Sequence, residues 1–280
     1  PGSFQAYEDS DYRGWGQYSE GRKLRRSQDI EFYGNYNETW GKHNLDVMLG
    51  YSWQWFYQFD RDLSYSNQTG ERNPKSEGLK YQEESYLVSF YGRINYSFDS
   101  RYLFTVSLRA DGSSKFAPNN QWGYFPAAAA AWRISDEAFM ENTRDWLDNL
   151  KLRVSYGTSG SDNIDASLWR ETWKTEQITV DGEKVTTYVP GDMKGNPDLK
   201  WETTISRNLG VDFGFFNNWV RGSLDYYWNT TKNILMKVPI DAASGYSYQF
   251  QNVGKTSNKG VELALGFDIV RGKDFNLGVN

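Results

Sequence analysis

The sequence predicts an all-β protein in which antiparallel strands form a membrane-spanning barrel. Apolar residues recur at every second position over about ten segments, which is the side-chain period of a β-strand. Aromatic residues make up 17% of the 280-residue chain, although its mean hydropathy of −0.76 is that of a hydrophilic protein. Short and long connections alternate between the segments, which places tight turns on one rim and long loops on the other.

The strand predictions depend on runs in which apolar and polar residues alternate. The clearest runs are 45–55, 86–98, 102–108, 150–156, 205–215, 220–228 and 261–269, with a weaker one at 30–36. The runs 211–215 and 220–228 flank Asn217-Asn218, a turn dipeptide, and therefore predict a β-hairpin.

Two stretches between the strands are less regular. The segment "YFPAAAAAWRIS" (124–135) contains five alanines, which favour a helix by propensity, but Pro126 and the alternating neighbours favour a strand, which we prefer. The next segment, "SDEAFMENTRDWLDN" (135–149), predicts one short helix with Ser135 as the N-cap and acidic residues in the first turn.

The connections predict which face of the sheet meets lipid. Short turns are expected at 41–43, 99–101, 217–218 and 271–273, and long connections at 58–83, 111–123, 159–200 and 230–257. Outer-membrane barrels have short periplasmic turns and long external loops, with apolar side chains outward and polar side chains in the lumen. Aromatic girdles lie at both interfaces of such barrels, and Tyr51, Trp53, Trp55, Tyr96 and Phe98 occupy matching positions.

A soluble fold is the alternative. In a β-sandwich or a propeller the same apolar side would be the core, and the chain would be a secreted carbohydrate-binding domain that uses its tryptophans as sugar platforms. The lengths of runs such as 44–56 and 85–98 favour the barrel, because a tilted membrane strand needs roughly 9 to 11 residues whereas globular strands average about five or six.

Composition argues against several function classes. The net charge is −5, so no basic stripe is available for a nucleic-acid partner. The run 22–26 is the one dense basic patch, and we interpret it as a solvated loop rather than a lipid or phosphate site. Cysteine is absent and His43 is the single histidine, so we expect no enzyme activity, no metal site and no cofactor.

The stretch "RYLFTVSLRADGSSKFAPNNQWGYFPAAAAAWRISDEAFM" (101–140) resembles the TonB-dependent outer-membrane transporters of the SusC/RagA family. Four more stretches match in family order: "KHNLDVMLGYSWQW" (42–55), "LDNLKLRVSYGTSGSDNI" (147–164), "GNPDLKWETTISRNLGVDFGFF" (195–216) and "NKGVELALGFDI" (258–269). Five ordered stretches cover most of the chain and make the resemblance specific.

The resemblance implies a 22-stranded barrel blocked by an N-terminal plug, of which this chain would form about half. Residues 1–280 would all belong to this single transmembrane barrel domain, because the chain shows no plug, and we expect it to be a piece of a longer polypeptide. The resemblance also implies import of oligosaccharides or oligopeptides across the outer membrane of a Bacteroidota-type Gram-negative bacterium. The implied partners are outer-membrane lipid, a SusD-like surface lipoprotein that acts as a lid, and the TonB complex, acting through the absent plug.

Two sets of residues are candidates for contact with the cargo. Aromatic rings of the long connections can stack on sugars or pack against peptide side chains, although packing between loops is the simpler explanation; they are Trp122, Tyr124, Trp169, Trp173, Tyr188, Tyr246, Tyr248 and Phe250. Charged residues of the strands are expected to face the lumen and to pair with one another or with the plug; they are Arg109, Asp111, Arg153, Arg207, Asp212, Arg221, Asp225, Glu262 and Asp268.

Overall fold

The structure is a computed structural model that describes residues 3–5, 17–66, 71, 81–180, 183–272 and 275–279. Strands dominate it: β1 (Ser3–Gln5), β2 (Gln17–Trp40), β3 (His43–Ser66), β4 (Tyr81–Phe98), β5 (Tyr102–Ser113), β6 (Trp122–Arg133), β7 (Leu147–Ser161), β8 (Trp173–Val180), β9 (Glu183–Pro190), β10 (Met193–Lys194), β11 (Glu202–Phe215), β12 (Val220–Pro239), β13 (Tyr248–Arg271) and β14 (Asn276–Val279).

One 12-stranded sheet contains all of these strands except β8 and β9, which form a separate hairpin. Strands β1 to β7 pair in chain order, β11 follows β7, and β12, β13 and β14 continue the sheet. Each of these pairs is antiparallel, and only the two-residue β10 is parallel, beside the start of β13. A sheet of this size is consistent with about half of a 22-stranded barrel.

The alternation divides this sheet into an apolar face and a polar face. Leu49 is 67% exposed, Val154 52%, Leu263 61% and Leu265 39%, and they share the apolar face. No second sheet covers that face within the described ranges, whereas a sandwich would bury it. The apolar side therefore faces away from the protein, as the barrel prediction requires.

Aromatic residues concentrate near both ends of the apolar face. At the end with the long connections, the loop end, the rings belong to Tyr51, Trp53, Trp55, Tyr86, Phe90, Trp122, Tyr124, Tyr156 and Trp228. At the end with the short connections, the turn end, they belong to Trp40, Tyr96, Phe98, Tyr102, Trp132, Trp146 and Phe215. Two girdles of this kind are typical of membrane barrels.

The short turns at 41–43, 99–101 and 217–218 form where the sequence predicts them, and the predicted turn at 271–273 includes Lys273, which lies outside the described residues. Asn217 and Asn218 have φ values of 58° and 56°, and Asp99 and Ser100 have 51° and 55°. Asn and Asp tolerate this left-handed conformation better than most residues, and it matches the twist of a tight hairpin. The predicted 211–228 hairpin is confirmed, with Val211 opposite Leu224.

Several connection boundaries differ from the prediction. Strand β3 continues to Ser66 and β4 starts at Tyr81, so the connection predicted at 58–83 is shorter, and most of 67–80 lies outside the described residues. Strands β12 and β13 likewise extend into the predicted 230–257 connection and leave only 240–247 between them. Backbone pairing does not require alternating side chains, so the strands continue beyond the segments in which the apolar pattern is visible.

The helix predicted near 135–149 is present as two 3-10 segments, Ile134–Asp136 and Ala138–Thr143, and Leu147 already belongs to β7. A segment this short gains little from helix propagation, and the ends of β6 and β7 dictate its span. Ser135 is buried but makes no side-chain cap. The alanine segment 127–131 is confirmed as strand.

Among the described residues, no helix is long and apolar enough to cross a membrane.

Candidate functional site

The long connections fold over the polar face at the loop end of the sheet. Phe125 projects from the polar face of β6 and is only 7% exposed, because loop residues cover it, and Leu87 of β4 packs against the same cluster. Polar residues of the same face are buried there too: Ser89 and Ser113 are each 1% exposed and Asp111 is 7%. The seven buried residues of this loop core are Phe116, Phe125, Ile164, Leu168, Met193, Leu199 and Trp201.

Hydrogen bonds connect these loops to the sheet. The Trp201 indole N–H donates to the Gln121 carbonyl at 2.9 Å, and the Trp201 ring lies 5.4 Å from that of Phe116. Asn252 of β13 accepts from the Lys200 backbone N–H at 3.0 Å and donates to its carbonyl at 2.8 Å. The loops are therefore fixed platforms on the polar face.

An open cleft of about 430 Å³ lies beside these loops on the polar face. Cations (Arg25, Lys115), carboxylates (Glu83, Asp162) and Phe56 contribute to its lining. Burial raises the pKa of the Glu83 carboxyl above 4.5. Such a surface offers charges of both signs beside an aromatic ring, and it can bind a polar, partly charged chain.

Most predicted luminal charges share this polar face and pair with one another. Arg153 forks between Asp212 and Asp225, with its Nη2 atom 2.8 Å from one carboxylate and 3.0 Å from the other. Lys151 adds a third contact, 3.0 Å from Asp212. In this network two strand carboxylates share one guanidinium.

Two further charge clusters flank that network. Arg109 contacts Asp111 at 2.8 Å, donates to the Ser89 hydroxyl at 2.8 Å, and lies over the ring of Tyr91. Arg221 lies 2.8 Å from Asp268 near the turn end.

Glu262 lies on the polar face opposite Asp225, and it is exposed. Eight of the nine predicted charges thus lie on the polar face of the sheet, and their contact with a lumen stays a prediction.

Arg207 is the exception, and its prediction as a luminal residue is wrong. It occupies an odd position of β11, in phase with Leu209 and Val211, and it pairs laterally with Tyr156. Because side chains alternate strictly along a strand, this position puts Arg207 on the apolar face.

Trp122 and Tyr124 also require a correction, since they belong to strand β6 rather than to a loop. Both lie on the apolar face, 45% and 65% exposed, and the Trp122 ring stacks on Phe90 at 6.2 Å. Their even-numbered phase within β6 puts them in the girdle of the apolar face, on the side opposite the loop core.

The other aromatic candidates do lie at the loop end. Trp173 and Tyr188 are 61% and 73% exposed on the β8–β9 hairpin, where no described residue covers them. Trp169 is half-buried, with the Arg170 guanidinium 4.4 Å from its ring centre.

Three more candidates lie between β12 and β13 or at the start of β13. Tyr246 is partly buried in the connection, while Tyr248 and Phe250 pack against the loop core. The Lys237 ammonium lies 3.6 Å from the Tyr248 ring centre. These rings support the loops and leave only part of their surface free for a ligand.

The cleft was missed by sequence reasoning because its residues come from five separate segments of the chain. Arg25 belongs to the basic run 22–26, which was interpreted as a solvated loop but forms part of β2. Lateral pairing of Arg25 with Gln58, and of Gln58 with Glu83, brings them together, and no local pattern encodes this register. The described residues include no group of three His, Cys, Asp or Glu side chains suited to a metal ion.

These features define a strand-built wall with one bare apolar face and one charged, loop-covered face. Residues 2–280 match the family described as TonB dependent receptor-like, beta-barrel. The chain belongs to this family.

Relatives agree with this assignment. The TonB-dependent receptor SusC of Bacteroides thetaiotaomicron is 33% identical over 279 residues, covering 95% of this chain and 27% of SusC. The TonB-dependent receptor P3 of Formosa agariphila is 35% identical over 254 residues, covering 88% of this chain and 25% of that receptor. The chain thus spans about a quarter of the length of these relatives.

Solved structures agree as well. The RagAB peptide transporter superposes with a TM-score of 0.82 at 28% identity, covering 98% of this chain and 31% of that chain. The siderophore receptor PirA of Acinetobacter baumannii gives a TM-score of 0.60 at 14% identity over 91% of this chain and 39% of that chain, which shows a shared fold.

Proposed function

We propose that this chain forms part of the wall and the external loops of a transporter that imports oligosaccharides or oligopeptides across the outer membrane of a Bacteroidota-type Gram-negative bacterium. The bare apolar face opposite a charged, loop-covered face is the observation that carries the proposal. A surface this apolar and this extensive is expected to contact hydrocarbon. The proposed role is transport without catalysis.

The partners of the barrel are proposed from its similarity to the relatives. SusC-like and RagA-like similarity over nearly the whole chain supports a SusD-like surface lipoprotein as the partner at the barrel mouth. Energy would reach the barrel through the TonB complex acting on a plug, and residues 1–280 would belong wholly to the barrel domain.

We place the cargo path along the polar face. The cleft between Arg25 and Lys115 lies where cargo entering from outside first meets the wall. Trp173 and Tyr188 are exposed enough to contact either the cargo or the lipoprotein. Paired charges such as Arg153 and Asp225 keep the inner wall polar, which suits a hydrated cargo of either class.

The test compares two arginine substitutions at neighbouring positions of β13. Leu263→Arg puts a charge on the apolar face and is expected to cost about 2 to 4 kcal/mol near the bilayer midplane. Ala264→Arg puts the same side chain on the polar face, where it pairs laterally with Ser223 and lies next to the Asp225–Glu262 pair of the same face, and it should cost far less. Both are introduced into the full-length transporter, and folded protein in the outer membrane is quantified by heat-modifiable gel mobility.

Equal assembly of the two variants would exclude the lipid-facing orientation. A chain that stays monomeric without detergent and binds glycan would support the secreted carbohydrate-binding alternative instead.

A further inference from the structure

A guanidinium on the apolar face needs an explanation that the transport proposal does not supply. Arg207 stands between two aromatic side chains, with its guanidinium 4.7 Å from the Trp228 ring centre and 5.9 Å from that of Tyr156. Its Nη1 atom is buried and has no hydrogen-bond partner among the described residues. Nor does any carboxylate of the described ranges form an ion pair with it.

The position of Arg207 along the direction across the membrane indicates which part of the bilayer lies beside it. From Arg207 to Phe215, at the turn end, β11 advances eight residues, or about 26 Å at about 3.3 Å per residue. A strand tilt of about 40° converts this length to a height of about 20 Å, close to the roughly 25 Å apolar band of membrane barrels. Arg207 therefore lies at the outer boundary of that band, level with the girdle rings Tyr156 and Trp228.

A second cation shares this row. Lys259 of β13 pairs laterally with Trp228, is exposed, and lies on the same face, so the two cations flank one indole ring. Two strand spacings put their Cα atoms about 10 Å apart. A single phosphate group with several oxygens can bridge side chains of this reach.

We infer that Arg207, held by Trp228 and Tyr156 and assisted by Lys259, binds the phosphate group of an anionic lipid in the outer leaflet. Arg207 is only partly buried, so the accessible part of its guanidinium supplies the cation, the rings position it, and the neighbouring apolar residues Leu209 and Val261 receive the acyl chains. The inference rests on the membrane orientation proposed above.

The experiment uses the full-length transporter, purified in detergent as wild type, Arg207→Gln and Arg93→Gln. Arg93 is the matched control, since it is an exposed arginine on the polar face of β4. Each protein is incubated with an equal mixture of phosphatidylglycerol and phosphatidylcholine of identical acyl chains, and retained lipids are counted by native mass spectrometry. Heat-modifiable mobility verifies that each variant is folded.

We expect the wild type and Arg93→Gln to prefer phosphatidylglycerol. In Arg207→Gln this preference should fall about fivefold, the factor that corresponds to about 1 kcal/mol for one arginine at an anionic membrane surface. Arg207→Lys should retain part of the preference for phosphatidylglycerol, because the ammonium keeps the charge but lacks the paired N–H donors of a guanidinium.

Unchanged phosphatidylglycerol retention in Arg207→Gln would overturn the inference. Displacement of the lipid by an equal concentration of inorganic phosphate would also overturn it, because the site would then bind free anions. Loss of dimers in Arg207→Gln without a change in lipid would assign the site to a second copy of the chain. A wild type that retains neither lipid would contradict the membrane orientation itself, and this result separates failure of the proposed function from failure of this site.

Discussion

A single position in the alternation decides what a charged residue of this protein does. Arg153 and Arg207 are both strand arginines among apolar neighbours, yet Arg153 joins two carboxylates on the polar face and Arg207 lies between two rings on the apolar face. Residue type suggested the same role for both, whereas their phase within the strand separates them. The better guide to the face of a charged residue is thus its distance in sequence from a neighbouring apolar residue. Arg207 is two positions from Leu209 and shares its face, whereas Arg153 is one position from Val154 and lies on the opposite face.

Glu137 shows the same contrast between local and tertiary context. The sequence suggests that it complements the dipole of a short helix, but the carboxylate is buried at the turn end and accepts hydrogen bonds from the Tyr102 hydroxyl at 2.6 Å and the Trp132 indole at 2.9 Å. Arg101 adds an ion pair at 3.2 Å. The carboxylate therefore connects the girdle at the ends of β5 and β6 to the turn that follows.

These contacts predict a pH dependence. The hydrogen bond from Tyr102, then that from Trp132, and Arg101 hold the pKa of Glu137 below its ordinary 4.5. A carboxyl with a lowered folded pKa stabilises the fold above its unfolded pKa, and the contribution is lost as the pH falls through the folded value. We expect Glu137→Gln to lower the midpoint of unfolding in guanidinium chloride at neutral pH. The difference between the midpoints of the variant and the wild type should shrink below pH 4.5.

Asp145→Asn provides the control for that measurement, because Asp145 is exposed in the same connection. Its midpoint should follow the wild-type curve at every pH. A constant gap between Glu137→Gln and wild type from neutral to acidic pH would show that Glu137 contributes packing rather than a stabilised charge.

At the scale of elements, the strands and the loops are stabilised by different interactions. The strands are held by lateral backbone pairing, which continues past the apolar pattern at the loop ends of β3, β12 and β13. The loops instead depend on the small buried core, in which Phe116 and Leu199 are completely inaccessible to solvent. The external surface can therefore loosen while the wall stays intact.

Trp201→Ala tests this separation. The substitution removes an indole that contacts Phe116 and Phe125 and donates to the Gln121 carbonyl, so local opening of the loops should become easier by about 3 to 5 kcal/mol. We expect limited proteolysis of the full-length transporter to cut within 162–200 far faster than in wild type, with unchanged heat-modifiable mobility.

Trp173→Ala should leave the proteolysis rate at the wild-type level, because that ring is exposed on the hairpin. If Trp201→Ala also abolished the folded gel species, the loop core would be part of the wall's own stability.

At the scale of the whole molecule, the sheet has an open side. Strand β2 is 24 residues long, and among the described residues only the three of β1 pair along its outer edge. Unpaired strand groups are costly in lipid and promote association in water, so a closed barrel must supply a partner for this edge.

The isolated 280-residue polypeptide is accordingly expected to aggregate at micromolar concentration in detergent-free buffer and to show no heat-modifiable species in vesicles. Light scattering and gel mobility check this, with the full-length transporter as the positive control. A stable, folded monomer in buffer would contradict both the open edge and the lipid-facing orientation.

The sequence by itself determined the strand class, the Asn217-Asn218 hairpin, the alternation of turns and loops, and the family, because a period of two and turn residues are local signals. Only the tertiary structure decided the lengths of the strands at the loop end, the 3-10 form of 134–143, and the cleft shared by Arg25, Glu83 and Lys115. Those features depend on lateral register between strands distant in the chain. Register arises from the summed pairing of whole strands, and no short stretch of residues encodes it.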